Sequence, residues 1–185
     1  MNRAVFLDRD NTLIVDWGYV YKITDLKWIE GAKTCLKKFS KIGYKLIVIT
    51  NQSGVAHGYY TEKEVNIFHK YMNDDLFKSH RFMIDKFYFS PYHPDGILDK
   101  YRKKSNCRKP GNILFKKAIE DFNIIGSESI AIGDKYSDIE PAFNCGVEQA
   151  YLFDNNSTID KSTNVKVVKN WEEIMSNFET LGLIS

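Results

Sequence analysis

A chain of 185 residues with 43% apolar side chains has room for one domain with a real hydrophobic core, or one domain carrying a small insert. Its formal net charge of +2 is too small to point to nucleic acid or a membrane surface, and no stretch reaches the roughly 20 apolar residues of a membrane span. Three widely separated cysteines, Cys35, Cys107 and Cys145, argue against a disulfide framework and for a reducing compartment. A strand pattern stands directly at the N-terminus in place of a secretory leader, so the chain is expected to be cytoplasmic.

The first element expected is a strand over residues 3–8, apolar on both faces as buried parallel strands are. It runs straight into Asp8-Arg9-Asp10-Asn11-Thr12. A helix follows over 31–42, with Ala32, Leu36 and Phe39 at helical spacing, then a β-branched strand over 44–50. Thr61-x-x-Glu64 is a capping box that opens a helix to about Lys78. A third strand is expected over 84–90, and an irregular stretch from about Pro91 to Arg108 comes next. Pro110 sits where a helix can begin, since its missing N–H costs nothing there, and that helix should reach Phe122. Strands over 129–133, 147–153 and 165–168 alternate with helices over 137–144 and after the Asn170-x-x-Glu173 cap, and Gly146 is a plausible helix terminator. Alternating strands and helices imply an α/β fold, a Rossmann-like three-layer sandwich around a central parallel sheet, with residues 1–185 forming a single domain. The gaps on either side of the second strand are too short for a large cap domain.

In a parallel sheet the carboxyl ends of all strands share one edge, where ligands bind. Strand one delivers Asp8 and Asp10 to that edge, and strand two delivers Thr50-Asn51-Gln52-Ser53-Gly54. Strand four delivers Gly133-Asp134-Lys135 and, one helical turn on, Asp138, while the loop before Pro110 carries Arg108 and Lys109. Three carboxylates, Asp8, Asp10 and Asp134, suit Mg²⁺, a hard cation that prefers oxygen ligands and usually partners a phosphate. Thr50 and Asn51 offer donors to phosphate oxygens, and Lys109 adds a point charge. One carboxylate can attack phosphorus while a second moves the proton, so the set points to phosphoryl transfer. Each piece also has a plainer reading. The two early acids and the Thr50–Gly54 string can be turn residues, Asp134 and Asp138 can be first-turn helix acids, and the basic run Lys100-Tyr101-Arg102-Lys103-Lys104 can be a solvated loop rather than attraction for an anion. Cys35 and Cys145 read as core residues, and His57, His69 and His80 as surface or partly buried ones.

Four separated motifs in order decide against the plain readings: Asp8-x-Asp10-x-Thr12, Thr50-Asn51-Gln52-Ser53-Gly54, Arg108-Lys109-Pro110 and Gly133-Asp134-Lys135-x-x-Asp138. Over roughly residues 3–153 the chain resembles the haloacid dehalogenase-superfamily phosphatases, and among them the heptose-1,7-bisphosphate and histidinol-phosphate phosphatase group. The resemblance implies that Asp8 is the nucleophile and Asp10 the general acid/base. It implies Mg²⁺ held by Asp8, the backbone carbonyl of Asp10 and Asp134, with Thr50 and Lys109 stabilising the transferred group. Asp16, Trp17, Gly18, Tyr19, Asn51, Gln52, Ser53, Arg108 and Lys135 would bind the substrate, a small phosphorylated sugar, with neither nucleic acid nor membrane as partner and a monomer as the expected state. The implied reaction removes the 7-phosphate of a heptose 1,7-bisphosphate, a step toward nucleotide-activated heptose for surface glycans. Histidinol phosphate is the rival substrate, a phosphotransferase or mutase is a rival reaction, and a non-catalytic binding protein on the same fold is the rival class.

The chain departs from the group's pattern twice. Asn11 stands where the nucleophile loop usually has Gly, and Asn tolerates positive φ well. Members with a zinc loop use three cysteines and a histidine, but the matching positions here are Ser90, Tyr92, Ser105 and Cys107. A structural zinc site wants four nitrogen or sulfur ligands, so no zinc is expected, and the loop must be held by packing through Tyr92, Pro94 and Tyr101 or be more mobile.

Overall fold

The computed structural model describes residues 1–153 and 164–180. Six strands form one parallel sheet: β1 (Ala4–Leu7), β2 (Lys45–Asn51), β3 (Lys86–Ser90), β4 (Ile130–Gly133), β5 (Gln149–Phe153) and β6 (Val165–Val168). Their spatial order is β3-β2-β1-β4-β5-β6. The chain therefore winds outward in one direction from β1 to β3 and in the other from β4 to β6. The reversal falls between β1 and β4, and a crevice opens at such a switch point beyond the carboxyl ends of the two strands.

Alternation along each strand splits the core into two layers. Val5 and Leu7 of β1, with Leu46 and Val48 of β2, face the layer formed by α1 (Ala32–Lys41), α2 (Glu62–His80) and α5 (Trp171–Thr180). Ala4 and Phe6, with Ile47 and Ile49, face α3 (Ile113–Phe122) and α4 (Tyr136–Phe143). In α1 the buried residues Ala32, Cys35, Leu36 and Phe39 trace one helical stripe. Helix α2 opens on the expected box: the Thr61 hydroxyl accepts from the Glu64 N–H, and the Glu64 carboxylate accepts from the Thr61 N–H at 2.8 Å. Gly31 precedes α1 at φ +79°, and a Cβ there would come within 2.9 Å of the Trp171 Cβ, so α1 and α5 meet only over a glycine.

Helix α3 begins at Ile113 rather than at Pro110. The Gly111 N–H closes a turn onto the Arg108 carbonyl at 2.7 Å, and α3 starts only after that turn. Asn11 adopts φ +56°, the left-handed conformation expected of the residue that replaces glycine.

Candidate active site

The carboxyl end of β1 releases Asp8 and Asp10 into the crevice. The turn after them is closed by the Leu13 and Ile14 N–H groups, both donating to the Arg9 carbonyl. Across the switch point, β4 ends in Gly133, and Asp134 and Asp138 flank the start of α4. A Cβ on Gly133 would lie 2.5 Å from the Asp138 Cβ, so this glycine lets the helix acid reach back to the strand end. One carboxylate oxygen from each of Asp8, Asp134 and Asp138 lies within 4.8 Å of the others. Lys109 enters this acidic cluster from the opposite side, almost wholly buried. Its Nζ is 2.6 Å from Asp8 Oδ1 and 2.8 Å from Asp138 Oδ1, and it donates to the Ile49 carbonyl at 2.6 Å. Asn51 fixes the lysine's backbone with both ends of its amide, accepting from the Lys109 N–H at 2.9 Å and donating to the Lys109 carbonyl at 3.1 Å.

Burial dominates the electrostatics. It raises the Asp8 carboxyl to about 7, although Lys109 pulls the other way. Burial and the neighbouring Asp138 raise Asp134 to about 6. For Lys109 burial opposes the charge, but Asp8 and Asp138 outweigh it and the ammonium is held more firmly than usual. Carboxyls pushed up in this way mark a site short of positive charge, and a three-carboxylate oxygen set fits a hard divalent cation. The Asp10 carboxylate stands outside the cluster. Its Oδ1 accepts from Arg9, and its Oδ2 accepts from Gln52 Nε2 at 2.8 Å and from Thr50 Oγ1 at 3.5 Å. The role implied for Asp10 at the metal runs through its backbone carbonyl, which this arrangement leaves open.

A cavity of about 510 Å³ opens above these groups. Of the expected substrate contacts, Asp16, Gly18, Tyr19, Asn51, Ser53, Arg108 and Lys135 line it. Three expected site residues do not. Trp17 is 64% exposed, with the Lys27 ammonium over its ring. Gln52 and Thr50 lie buried beneath the floor, where Gln52 Nε2 donates to both Asp10 and Thr50 while its Oε1 accepts from Tyr60. Asp16 shapes the wall through its own hydrogen bonds, accepting from the Gly18 N–H at 2.9 Å and donating its N–H to Asn11 Oδ1. Tyr19, at φ +58°, packs edge-on to Tyr59 with ring centroids 4.7 Å apart. Arg108 is half-buried, its Nη1 has no partner among the described residues, and burial makes its proton less tightly held than usual.

Asp138, which the sequence brings to this edge without a role, also lines the cavity with Ser137 and Tyr60, and Arg9 and His69 lie behind it. The signal for Asp138 was present, since it stands one helical turn after Asp134. The signal for Arg9 is a basic residue between two acids just past an apolar strand. His69, read as a surface or partly buried residue, is 3% exposed.

Strand order and strand-end chemistry together define the chain as a haloacid dehalogenase-like phosphatase. A family model described as polynucleotide kinase 3 phosphatase matches residues 3–146, and the chain belongs to this family. It is 40% identical over 150 residues to a D-glycero-beta-D-manno-heptose-1,7-bisphosphate 7-phosphatase of Haemophilus ducreyi, covering 81% of this chain and 82% of that one. It is 32% identical over 168 residues to the corresponding alpha-anomer enzyme of Photorhabdus laumondii, covering 91% of each. The fold superposes on the D,D-heptose 1,7-bisphosphate phosphatase of B. bronchiseptica, solved with magnesium and phosphate. That match has a TM-score of 0.82 and 19% identity, and covers 97% of this chain and 99% of the other.

Proposed function

We propose that this protein is a Mg²⁺-dependent phosphomonoester hydrolase that removes the 7-phosphate of a D-glycero-D-manno-heptose 1,7-bisphosphate through an aspartyl-phosphate. The observation that carries the reading is the convergence of Asp8, Asp134, Asp138 and Lys109 at the switch point, with Asp10 two residues beyond the nucleophile. The Asp8 oxygen forms a bond to phosphorus as the bond to the sugar oxygen breaks, and Asp10 gives that oxygen its proton. Asp10 then takes a proton from the water that attacks phosphorus, and Asp8 is released with inorganic phosphate. Lys109 holds positive charge beside the oxygens that gain negative charge, and Asn51 holds Lys109 in place. Asp8 and Asp134, with the Asp10 carbonyl, are the residues that would hold Mg²⁺, and Asp138 sits beside them, bound to Lys109. When bound, the ion would supply the positive charge this acidic cluster lacks. Arg108 and Lys135, which line the cavity, suit the second phosphate of a bisphosphate, and Tyr19 lines the same cavity as a contact for the sugar.

The loop between β3 and α3 belongs to the same proposal. Of the four positions matching a zinc loop only Cys107 carries a soft ligand, so we expect no zinc. No helix among the described residues is long and apolar enough to cross a membrane.

The test is a panel of both anomers of the heptose bisphosphate, histidinol phosphate and a 3′-phosphorylated oligonucleotide, each with and without Mg²⁺. Turnover of a heptose bisphosphate should exceed that of the other two, and faster release from histidinol phosphate or the oligonucleotide would overturn the substrate. Asp8→Asn should abolish phosphate release with the fold intact by circular dichroism, and retained activity would overturn the mechanism.

A further inference from the structure

The Asp10 carboxylate is gripped from behind. Arg9 Nε and Nη2 both reach Asp10 Oδ1, at 2.9 and 2.8 Å, while Gln52 Nε2 holds Oδ2 at 2.8 Å. Each oxygen therefore has its own donor, and the plane of the carboxylate is fixed. Arg9 itself is 1% exposed and is absent from the cavity wall. Its Nη2 also donates to the Val20 carbonyl at 2.8 Å, and its guanidinium lies over the Phe68 ring at 5.1 Å. Its remaining terminal nitrogen, Nη1, lies 3.3 Å from His69 Nε2.

Guanidinium nitrogens only donate, so His69 Nε2 must accept and the ring proton must sit on Nδ1. Nδ1 has no partner among the described residues. Burial, reinforced by the Arg9 charge, keeps the imidazole neutral, and the ring stacks on Phe87 at 4.4 Å. Helix α2 thus presents to Arg9 an uncharged acceptor whose rotation the Phe87 stack blocks. A buried guanidinium is costly unless its donors are answered, and here the four contacts of its five N–H groups go to a backbone carbonyl, a neutral histidine and the proton carrier itself. A purely structural plug would be better served by a carboxylate away from the crevice, or by an apolar side chain of the same volume.

We propose that Arg9, backed by His69, is a positioning residue for proton transfer by Asp10. Neither residue touches the substrate. Arg9 holds the carboxylate plane, and His69 holds Arg9. The inference rests on the reading of Asp10 as the general acid, and its consequence is selective. Protonation matters most when the leaving oxygen is a poor one, such as a sugar alkoxide, and little when it is a stabilised aryl oxide. The quantity to read is kcat/KM, which covers steps up to departure of that oxygen.

The experiment compares His69→Leu, His69→Gln and Arg9→Lys on a sugar phosphate and on p-nitrophenyl phosphate, with Asp10→Asn as the calibrating variant and circular dichroism as the check on folding. Leucine cannot accept from Arg9, whereas the glutamine carbonyl can. His69→Leu should lower kcat/KM for the sugar phosphate by about tenfold or more while changing the aryl phosphate less than about twofold, within the range that a positioned acid contributes. His69→Gln should recover most of the loss. Arg9→Lys, which keeps the charge but loses the fork, should show the same selectivity even if His69→Leu does not fold. Equal losses on both substrates, equal losses from Leu and Gln, or no loss at all would overturn the positioning role. An Asp10→Asn variant that loses both substrates equally would overturn the acid/base reading itself.

Discussion

Lys109 is the residue on which the charge balance of the crevice turns. It stands between Asp8 and Asp138 with almost no exposure, so its removal leaves two buried carboxylates facing each other. Breaking a buried ion pair from one side typically costs about 3–5 kcal/mol. Lys109→Met should therefore lower the melting temperature at about pH 8, and lower kcat by about a hundredfold or more through the lost stabilisation of the phosphoryl oxygens. The two effects should separate with pH. Asp8 is raised to about 7, so at about pH 5.5 it can take up a proton and relieve the repulsion. The variant's stability deficit should shrink there, and thermal unfolding at the two pH values checks it. A deficit that is the same at both would mean that lost packing, not charge, is what Lys109 supplies.

At the scale of elements, the loop between β3 and α3 shows what a parallel-sheet sequence reveals and what it hides. Strand and helix identities follow from periodicity, and the Thr61–Glu64 box, the Asn11 left-handed turn and the strand-end acids are all visible in local residue types. The start of α3 is not, because the Arg108–Gly111 turn depends on the geometry around Pro110 and not on its usual place in a first helical turn. The functions of Gln52 and His69 are hidden for a related reason. A polar side chain beside a site reads alike whether it faces the cavity or lies under its floor, and only the fold decides which. The loop's support is of the same kind. Ile97 and Leu98 both donate their N–H groups to the Ala56 carbonyl, the His93 N–H donates to the Tyr101 carbonyl, and the Tyr101 hydroxyl bonds Glu62 of α2 and accepts from Lys100. The Lys103 ammonium covers the Tyr92 ring at 4.3 Å. Aromatic packing and backbone bonds thus hold the loop. Tyr101→Phe should cost about 1 kcal/mol and speed protease cleavage within 91–107, while elemental analysis of the parent protein should find no stoichiometric zinc. Zinc at one equivalent, or cleavage at an unchanged rate, would refute this account of the loop.

The whole molecule ties its far end to the turn that follows β1. Trp171 opens α5 fully buried, and its Nε1 donates to the Thr12 carbonyl at 3.0 Å, so the last described helix braces the turn that carries Asp8 and Asp10. The buried carboxyls of the crevice also bear on stability, because their proton affinity differs between the folded and unfolded chain. Asp8 is raised to about 7 and Asp134 to about 6, against about 4 in an unfolded chain. The folded state thus binds protons more tightly than the unfolded state between those values. For these two groups the stabilising contribution is fully present below about pH 4 and is lost as pH rises through about 6 to 7. A divalent cation reverses the sign, because it binds the ionised carboxylates and must displace their protons. The rise in melting temperature caused by excess Mg²⁺ should then be large at about pH 8 and small at about pH 5.5, since binding only to the folded state stabilises in proportion to the logarithm of ligand over Kd. Asp134→Asn should flatten that pH dependence by removing one of the two raised carboxyls and one of the cation's oxygens. Differential scanning fluorimetry with and without Mg²⁺ across this range is the measurement, and a Mg²⁺ shift independent of pH would separate the ion's binding from the protonation of Asp8 and Asp134.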